Sequence, residues 1–288
     1  MRRIQASILC VLIVGMASCG RFGNDGPAAD SSVRIVCVSK QLNEILFALG
    51  AGGNIVGVDL SSTYPPEIAS LPTVGYHRLL SAEGITSLHP TVVIHDGNVA
   101  PEAVLNQLKE VGIPLREYRA EPTIGATKDL MKTLGREFHA EGRADTLCAE
   151  LDRDLDSAAA RLHSVTTTPR VLILHFGRVI NNYLVMGRRG TASALLTLAG
   201  GVNATDATEG MKPLSAELVA GANPDVLLIT DFGYDRLSGI DAAKQLPGVA
   251  LTAAAKNNRI YRVEEHDLVY FGPRTGKIVM QLMDLIHQ

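Results

Sequence analysis

The stretch Val74–Ile94, VGYHRLLSAEGITSLHPTVVI, decides the fold, because the chain repeats part of it. Leu80-Ser81-Ala82-Glu83 is followed by Pro90 and then by the apolar run Val92-Val93-Ile94. Far downstream, Leu214-Ser215-Ala216-Glu217 leads at the same spacing to Pro224 and to Val226-Leu227-Leu228-Ile229. Each copy reads as a Ser-capped helix, a turn at proline and a buried parallel strand. Upstream of each lies a similar helix end, LFALGAGGNIVG from Leu46 to Gly57 and LLTLAGGVNAT from Leu195 to Thr205. Two lobes on one plan leave a cleft between them, and function is expected there. The approaches to the two helices differ: Gly75-Tyr76-His77-Arg78 in the first, Gly210-Met211-Lys212-Pro213 in the second.

Outward from the repeat, Arg34–Val38 reads as a β-rich run, and Ser39 caps a helix with the apolar stripe Leu42, Ile45, Leu46, Leu49. The glycines that follow leave a helix and enter a strand, the reverse of a dinucleotide-binding loop. After the strand Val92–Ile94 a helix is expected from Pro101 to about Val111, then a strand near Pro114–Tyr118. From Glu141 to Ser164 the apolar positions Ala144, Leu147, Cys148, Leu151, Leu155, Ala158, Ala159 and Leu162 recur at three–four spacing. Such a helix would reach roughly 35 Å, a connecting rod rather than part of either sheet. The expected fold is therefore α/β, two lobes with parallel-type sheets joined by a single long helix. Residues 33–138 form the first lobe, 139–165 the linking helix and 166–288 the second lobe. Thr166–Pro169 opens that lobe, followed by strands at Arg170–His175 and Asn181–Met186.

The chain has 288 residues and a formal net charge of −3, so no broad basic field is available for nucleic acid. Beyond the N-terminus no apolar run approaches the roughly 20 residues of a membrane span. Residues 1–19 read as a secretory signal, with basic Arg2 and Arg3 and the apolar Ile8–Val14. Its end, Met16-Ala17-Ser18-Cys19, resembles a bacterial lipobox, with Cys19 as the lipidated residue and Met16 standing where leucine is usual. Residues 20–32 read as a flexible tether. Cys37 on a strand and Cys148 on a helix could pair in an oxidising compartment; two buried free thiols is the reading adopted. Nucleophile elbow, Walker loop and HExxH are all missing, and the eight histidines lack metal-pair spacing.

Five segments, GYHRLLSAEG at Gly75–Gly84, GTASALLTLAGGVN at Gly190–Asn203, GMKPLSAELVAGANPDVLL at Gly210–Leu228, LPGVALTAAAKNNRIY at Leu246–Tyr261 and FGPRTG at Phe271–Gly276, give the chain a resemblance that spans nearly all of its mature length. It resembles the periplasmic haem-binding proteins of ABC importers, whose lobes are joined by one long helix. The resemblance implies a haem carrier without catalytic activity that delivers ferric haem b to a permease dimer with a cytoplasmic ATPase. It implies Tyr76 as the iron ligand, for ferric iron favours a hard phenolate oxygen and tyrosine is a known axial haem ligand. Arg78 would then steady the phenolate charge or pair with a propionate. His175, at a strand end that should face the cleft, would be a second ligand. Arg178, Tyr183 and Lys212 are further cleft candidates, Met211 stands where the family often has tyrosine, and His77 is expected to face away. The resemblance also places Glu83 and Glu217 at the lobe tips as permease contacts, although a glutamate there equally suits a helix dipole. The same architecture could carry cobalamin or a ferric siderophore, and a haem-handling surface enzyme or sequestering lipoprotein without a permease is the reading from another class.

Overall fold

A computed structural model describes residues 32–177, 180–205 and 210–288. Cys19, the signal segment, most of the tether and Arg178 lie outside the described residues.

The first lobe runs β1 (Ile35–Val38), α1 (Lys40–Ala48), β2 (Ile55–Val58), α2 (Ala82–Thr86), β3 (Val92–His95), α3 (Glu102–Glu110) and β4 (Leu115–Glu117), followed by α4 (Ile124–Glu137). Its four strands form a wholly parallel sheet in the order β2-β1-β3-β4. The linking helix α5 (Glu141–Leu162) follows. The second lobe continues with β5 (Arg170–Gly177), β6 (Asn182–Met186), α6 (Thr191–Leu198), β7 (Val202–Asn203), β8 (Met211–Pro213), α7 (Ala216–Ala222) and β9 (Val226–Thr230). Then come α8 (Asp231–Tyr234), α9 (Ile240–Lys244), α10 (Ala253–Lys256), β10 (Ile260–Val263), α11 (Glu265–Val269) and α12 (Thr275–Ile286).

The sequence repeat is a structural one. Ser81 Oγ accepts the Gly84 N–H at 3.1 Å and Ser215 Oγ accepts that of Leu218 at 3.2 Å, so each serine satisfies one orphan donor of its helix. The residue before each proline is left-handed, His89 at φ 48° and Asn223 at φ 34°. Each copy then enters a strand parallel to the first strand of its lobe, β3 beside β1 and β9 beside β5. The correspondence extends further: β7 pairs in parallel with the start of β5 as β2 does with β1, and β10 flanks β9 as β4 flanks β3. The second sheet departs from the parallel-type expectation. Beyond Leu174 the edge of β5 is taken by β6, which runs antiparallel and carries antiparallel β8 on its far side. The second sheet is thus mixed, a parallel core extended by the antiparallel pairings of β6 and β8.

Helix α5 belongs to both cores. Ala144, Leu147, Cys148 and Leu151 pack in the first lobe with Leu42, Leu46 and Met131, while Ala158 packs in the second with Ile173, Leu195 and Val279. Leu155 touches both clusters, so the apolar stripe is continuous across the joint. Cys37 and Cys148 are buried and unbridged. No helix among the described residues is long and apolar enough to cross a membrane.

A polar seam makes a second connection between the lobes. Glu44 on α1 is only 3% exposed, and a buried carboxylate is costly unless paired. Its partners come from the end of the chain: Arg274 donates to both of its oxygens at 3.0 and 3.2 Å, and the Tyr270 hydroxyl donates at 2.7 Å. Burial, with Glu44 beside it, pushes the Tyr270 phenol well up, so it remains a donor. Arg274 also reaches Asp267 at 2.9 Å and lies over the Tyr64 ring, 3.6 Å from its centroid. Nearby, Lys40 pairs with Glu265 at 2.5 Å, and Gln41 donates to the Phe271 carbonyl at 2.8 Å. Arg274→Met leaves Glu44 with the phenol alone and is expected to cost about 3–5 kcal/mol in urea denaturation. A loss under about 1 kcal/mol would show that the seam does not hold the lobes.

Candidate functional site

In open α/β sheets ligands bind beyond the carboxyl ends of the strands, where loops leave room and backbone groups remain unpaired. Both sheets here point those ends at one cleft of about 760 Å³, within the range of small-molecule sites. Ser39 and Lys40 follow β1, Asp59 follows β2, Asp96 follows β3 and Arg119 lies just past β4. On the opposite wall stand His175 on β5, Phe232 after β9 and Glu265 after β10.

Tyr76 lines this cleft, half-buried. Its loop is tied to the sheet by Leu60 N–H donating to the Gly75 carbonyl at 2.8 Å and is closed by Leu79 N–H donating to that of Tyr76 at 2.7 Å. Gly75 sits at φ 100°, which only glycine adopts without strain, so the turn presenting the tyrosine requires it. Arg78, also on the cleft, donates from Nη2 to Asn98 Oδ1 at 3.0 Å. His77 does not face away as expected. Its ring packs beside that of Tyr76, centroids 4.4 Å apart, and it lines the cleft with Nδ1 drawn 3.4 Å from Asp59 and 3.0 Å from Ser61 Oγ. The reason is Asp59, a fully buried carboxylate that needs donors. Ser61 donates to it from both N–H and hydroxyl, Ser62 donates at 2.5 Å, and Asn43 donates in turn to Ser62 at 2.9 Å.

On the second lobe His175 reaches the cleft from β5, with Nδ1 3.9 Å from Glu265, the carboxylate already held by Lys40. Lys212 is not among the residues lining the cleft, while Met211 is. They are neighbours on β8, whose successive side chains point to opposite faces, so only one of the two can look inward. Tyr183 is also off the cleft: its hydroxyl donates to the Gly233 carbonyl at 2.7 Å and its ring meets Phe176 edge-on at 5.0 Å. Leu60, Ile180 and Met211 line the cleft yet are 48%, 57% and 44% exposed, an apolar surface left to solvent. Glu83 and Glu217 are exposed in the first turns of α2 and α7, away from the cleft; a hydrogen bond from its own backbone N–H and one from Ser215 hold the Glu217 carboxyl below its usual value.

The Asp59 cluster has a pH signature. Burial alone would raise its carboxyl, but hydrogen bonds from His77, Ser61 and Ser62 outweigh it and hold the group below the usual carboxylate value. Its stabilisation is therefore present above the unfolded value near pH 4 and is lost as pH falls through the lower folded one. Asp59→Asn is expected to destabilise the fold by roughly 1–3 kcal/mol at pH 7, with the gap to wild type narrowing below about pH 4. A gap equal at both pH values would mean that the charge contributes nothing.

Residues 35–266 match the family model described as periplasmic binding protein. Among solved structures, the apo form of the periplasmic heme-binding protein RhuT from Roseiflexus sp. RS-1 is 36% identical, covering 88% of this chain and 98% of that one with a TM-score of 0.81. The periplasmic heme-binding protein BhuT in complex with two hemes is 30% identical, covering 88% and 97% with a TM-score of 0.79. Among curated relatives, the uncharacterized ABC transporter substrate-binding lipoprotein YvrC of Bacillus subtilis (strain 168) is 24% identical over 258 residues, 88% of this chain and 80% of that protein. A cobalamin-binding protein of Halobacterium salinarum is 25% identical over 262 residues, 88% of this chain and 69% of that protein. With one family model spanning both lobes and the helix between them, the chain belongs to the periplasmic binding protein family.

Proposed function

We propose that this protein is the substrate-binding component of an ABC importer and that its cargo is haem, held in the inter-lobe cleft and passed to a membrane permease without chemical change. The observation that carries the reading is Tyr76, set on the cleft wall by Gly75 in a chain similar to RhuT and BhuT. A phenol there offers ferric iron a hard oxygen ligand. His175, which lines the same cleft from the other lobe, is the candidate second ligand. Leu60, Ile180 and Met211 supply apolar surface that a porphyrin would cover, and exposed apolar patches of this kind mark binding sites. Lys212, off the cleft wall, has no part in this reading.

The remaining parts follow from position. Glu83 and Glu217 occupy equivalent places at the starts of α2 and α7, one on each lobe, as a permease dimer with its ATPase would need for a two-point contact. Cys19 would carry the lipid that holds the protein outside the cytoplasmic membrane, a reading that the lipoprotein name of YvrC supports. Residues 1–19 are then the signal, 20–32 the tether, 33–138 and 166–288 the lobes and 139–165 the link.

Cobalamin is the second reading, favoured by the relatives named for it. On that reading Tyr76 is incidental, because the cobalt of cobalamin is already held by its corrin ring and its own nucleotide base. Titration of the purified protein with hemin and, separately, with cobalamin distinguishes the two. A saturable ferric haem spectrum that Tyr76→Ala abolishes or shifts is the expected result. Saturable cobalamin binding without hemin binding would overturn the haem reading.

A further inference from the structure

Arg119 was not singled out from the sequence, yet it lines the cleft. It lies just past β4, on a segment running beside the end of β3, where Tyr118 N–H donates to the His95 carbonyl at 2.9 Å. This brings Arg119 against the turn Asp96-Gly97-Asn98. Gly97 is at φ 84°, and a Cβ placed on it would stand 2.6 Å from Arg119 Nη2 and 2.7 Å from Cζ. The guanidinium therefore occupies the space that the missing side chain leaves. Arg78 is held by the next residue of the same turn, through Asn98 Oδ1 at 3.0 Å. One short turn thus carries two guanidinium groups on one wall of the cleft.

Neither group is spent on the cleft's acids. Asp59 is taken by His77 and the serines, Glu265 by Lys40, Asp96 accepts the Asn98 N–H at 2.9 Å to close the turn, and Glu121, the fourth acid lining the cleft, makes no ion pair with either guanidinium. Glu117 takes the Nε–H of Arg119, one of the five donors a guanidinium offers, and Asn98 binds one nitrogen of Arg78. Guanidinium forks match carboxylates in geometry as well as charge.

We infer that Arg78 and Arg119, set by the Asp96–Asn98 turn, form a two-pronged clamp for the carboxylate edge of the cargo, and that Arg119 is a specificity-determining residue. The inference rests on the haem reading, since haem carries two propionates on one edge of an otherwise apolar plate. It also separates the candidate cargoes, because the peripheral side chains of cobalamin are amides and give such a clamp no paired carboxylates.

The test compares hemin with hemin dimethyl ester, whose propionates are blocked, on wild type, Arg119→Gln and Gly97→Ala, each first shown to melt as a folded protein. Arg119→Gln is expected to weaken hemin binding on the order of tenfold and to leave the diester unchanged, as loss of a charged hydrogen bond predicts. Gly97→Ala, which fills the guanidinium's place, is expected to weaken hemin selectively in the same way. Unchanged hemin affinity in folded Arg119→Gln would overturn the clamp while leaving the haem reading intact. Equal weakening of hemin and diester would also overturn it, because the effect would then not run through the carboxylates. Absence of saturable hemin binding to wild type would sink both.

Discussion

The buried charge of Glu44 is the constraint on which the arrangement depends. A carboxylate so enclosed is tolerable only where donors meet it, and the first lobe does not supply them; Tyr270 and Arg274 do, from the far end of the chain. The lobes are thus joined twice, through the shared apolar stripe of α5 and through this seam. One helix would act as a pivot, whereas a helix and a pinned seam act as a frame. Gln41 and Lys40, one turn before Glu44 on the same helix, extend the seam to the floor of the cleft. The distance between the two walls is therefore set before any ligand arrives, and a preset cleft spends little binding energy on ordering itself.

Much of this was legible in the sequence because it is repeated there. The Leu-Ser-Ala-Glu motif and its proline mark the same cap, left-handed turn and strand in both lobes, and the three–four spacing of Ala144 to Leu162 marks the helix between them. The departures share a physical origin. Periodicity of two identifies a strand but not its direction, so the antiparallel β6 could not be told from a parallel strand, and β8, three residues long, is too short to show a period at all. The same parity decides between Met211 and Lys212: one residue of register turns a side chain to the other face, and only the pairing of β8 with β6 sets that register. His77 turns inward because of Asp59, a partner that no local pattern announces.

Several residues that sequence reasoning missed could have been found by a rule it applied only to His175. Asp59 and Asp96 each follow a strand directly, and Arg119 and Glu265 each come two residues after one, the places from which α/β proteins build sites. Composition hid them, since an acid after a strand is ordinary turn chemistry. Their importance emerges only when both sheets are seen to aim their carboxyl ends at one cleft.

The loop at Gly75 shows how much of the wall depends on neighbours rather than on the central residue. Three consecutive side chains leave it in different company. His77 is pinned to the buried Asp59 and Ser61, Arg78 to Asn98, and Tyr76 stands at the cleft with its ring against that of His77. Because its neighbours are committed and Gly75 sets the backbone, the tyrosine loses little freedom when it engages a ligand. On the haem reading this is what distinguishes a built phenolate site from a tyrosine that happens to face a groove. The iron would meet an oxygen whose approach is fixed by a buried acid on one side and by a turn carrying two arginines on the other.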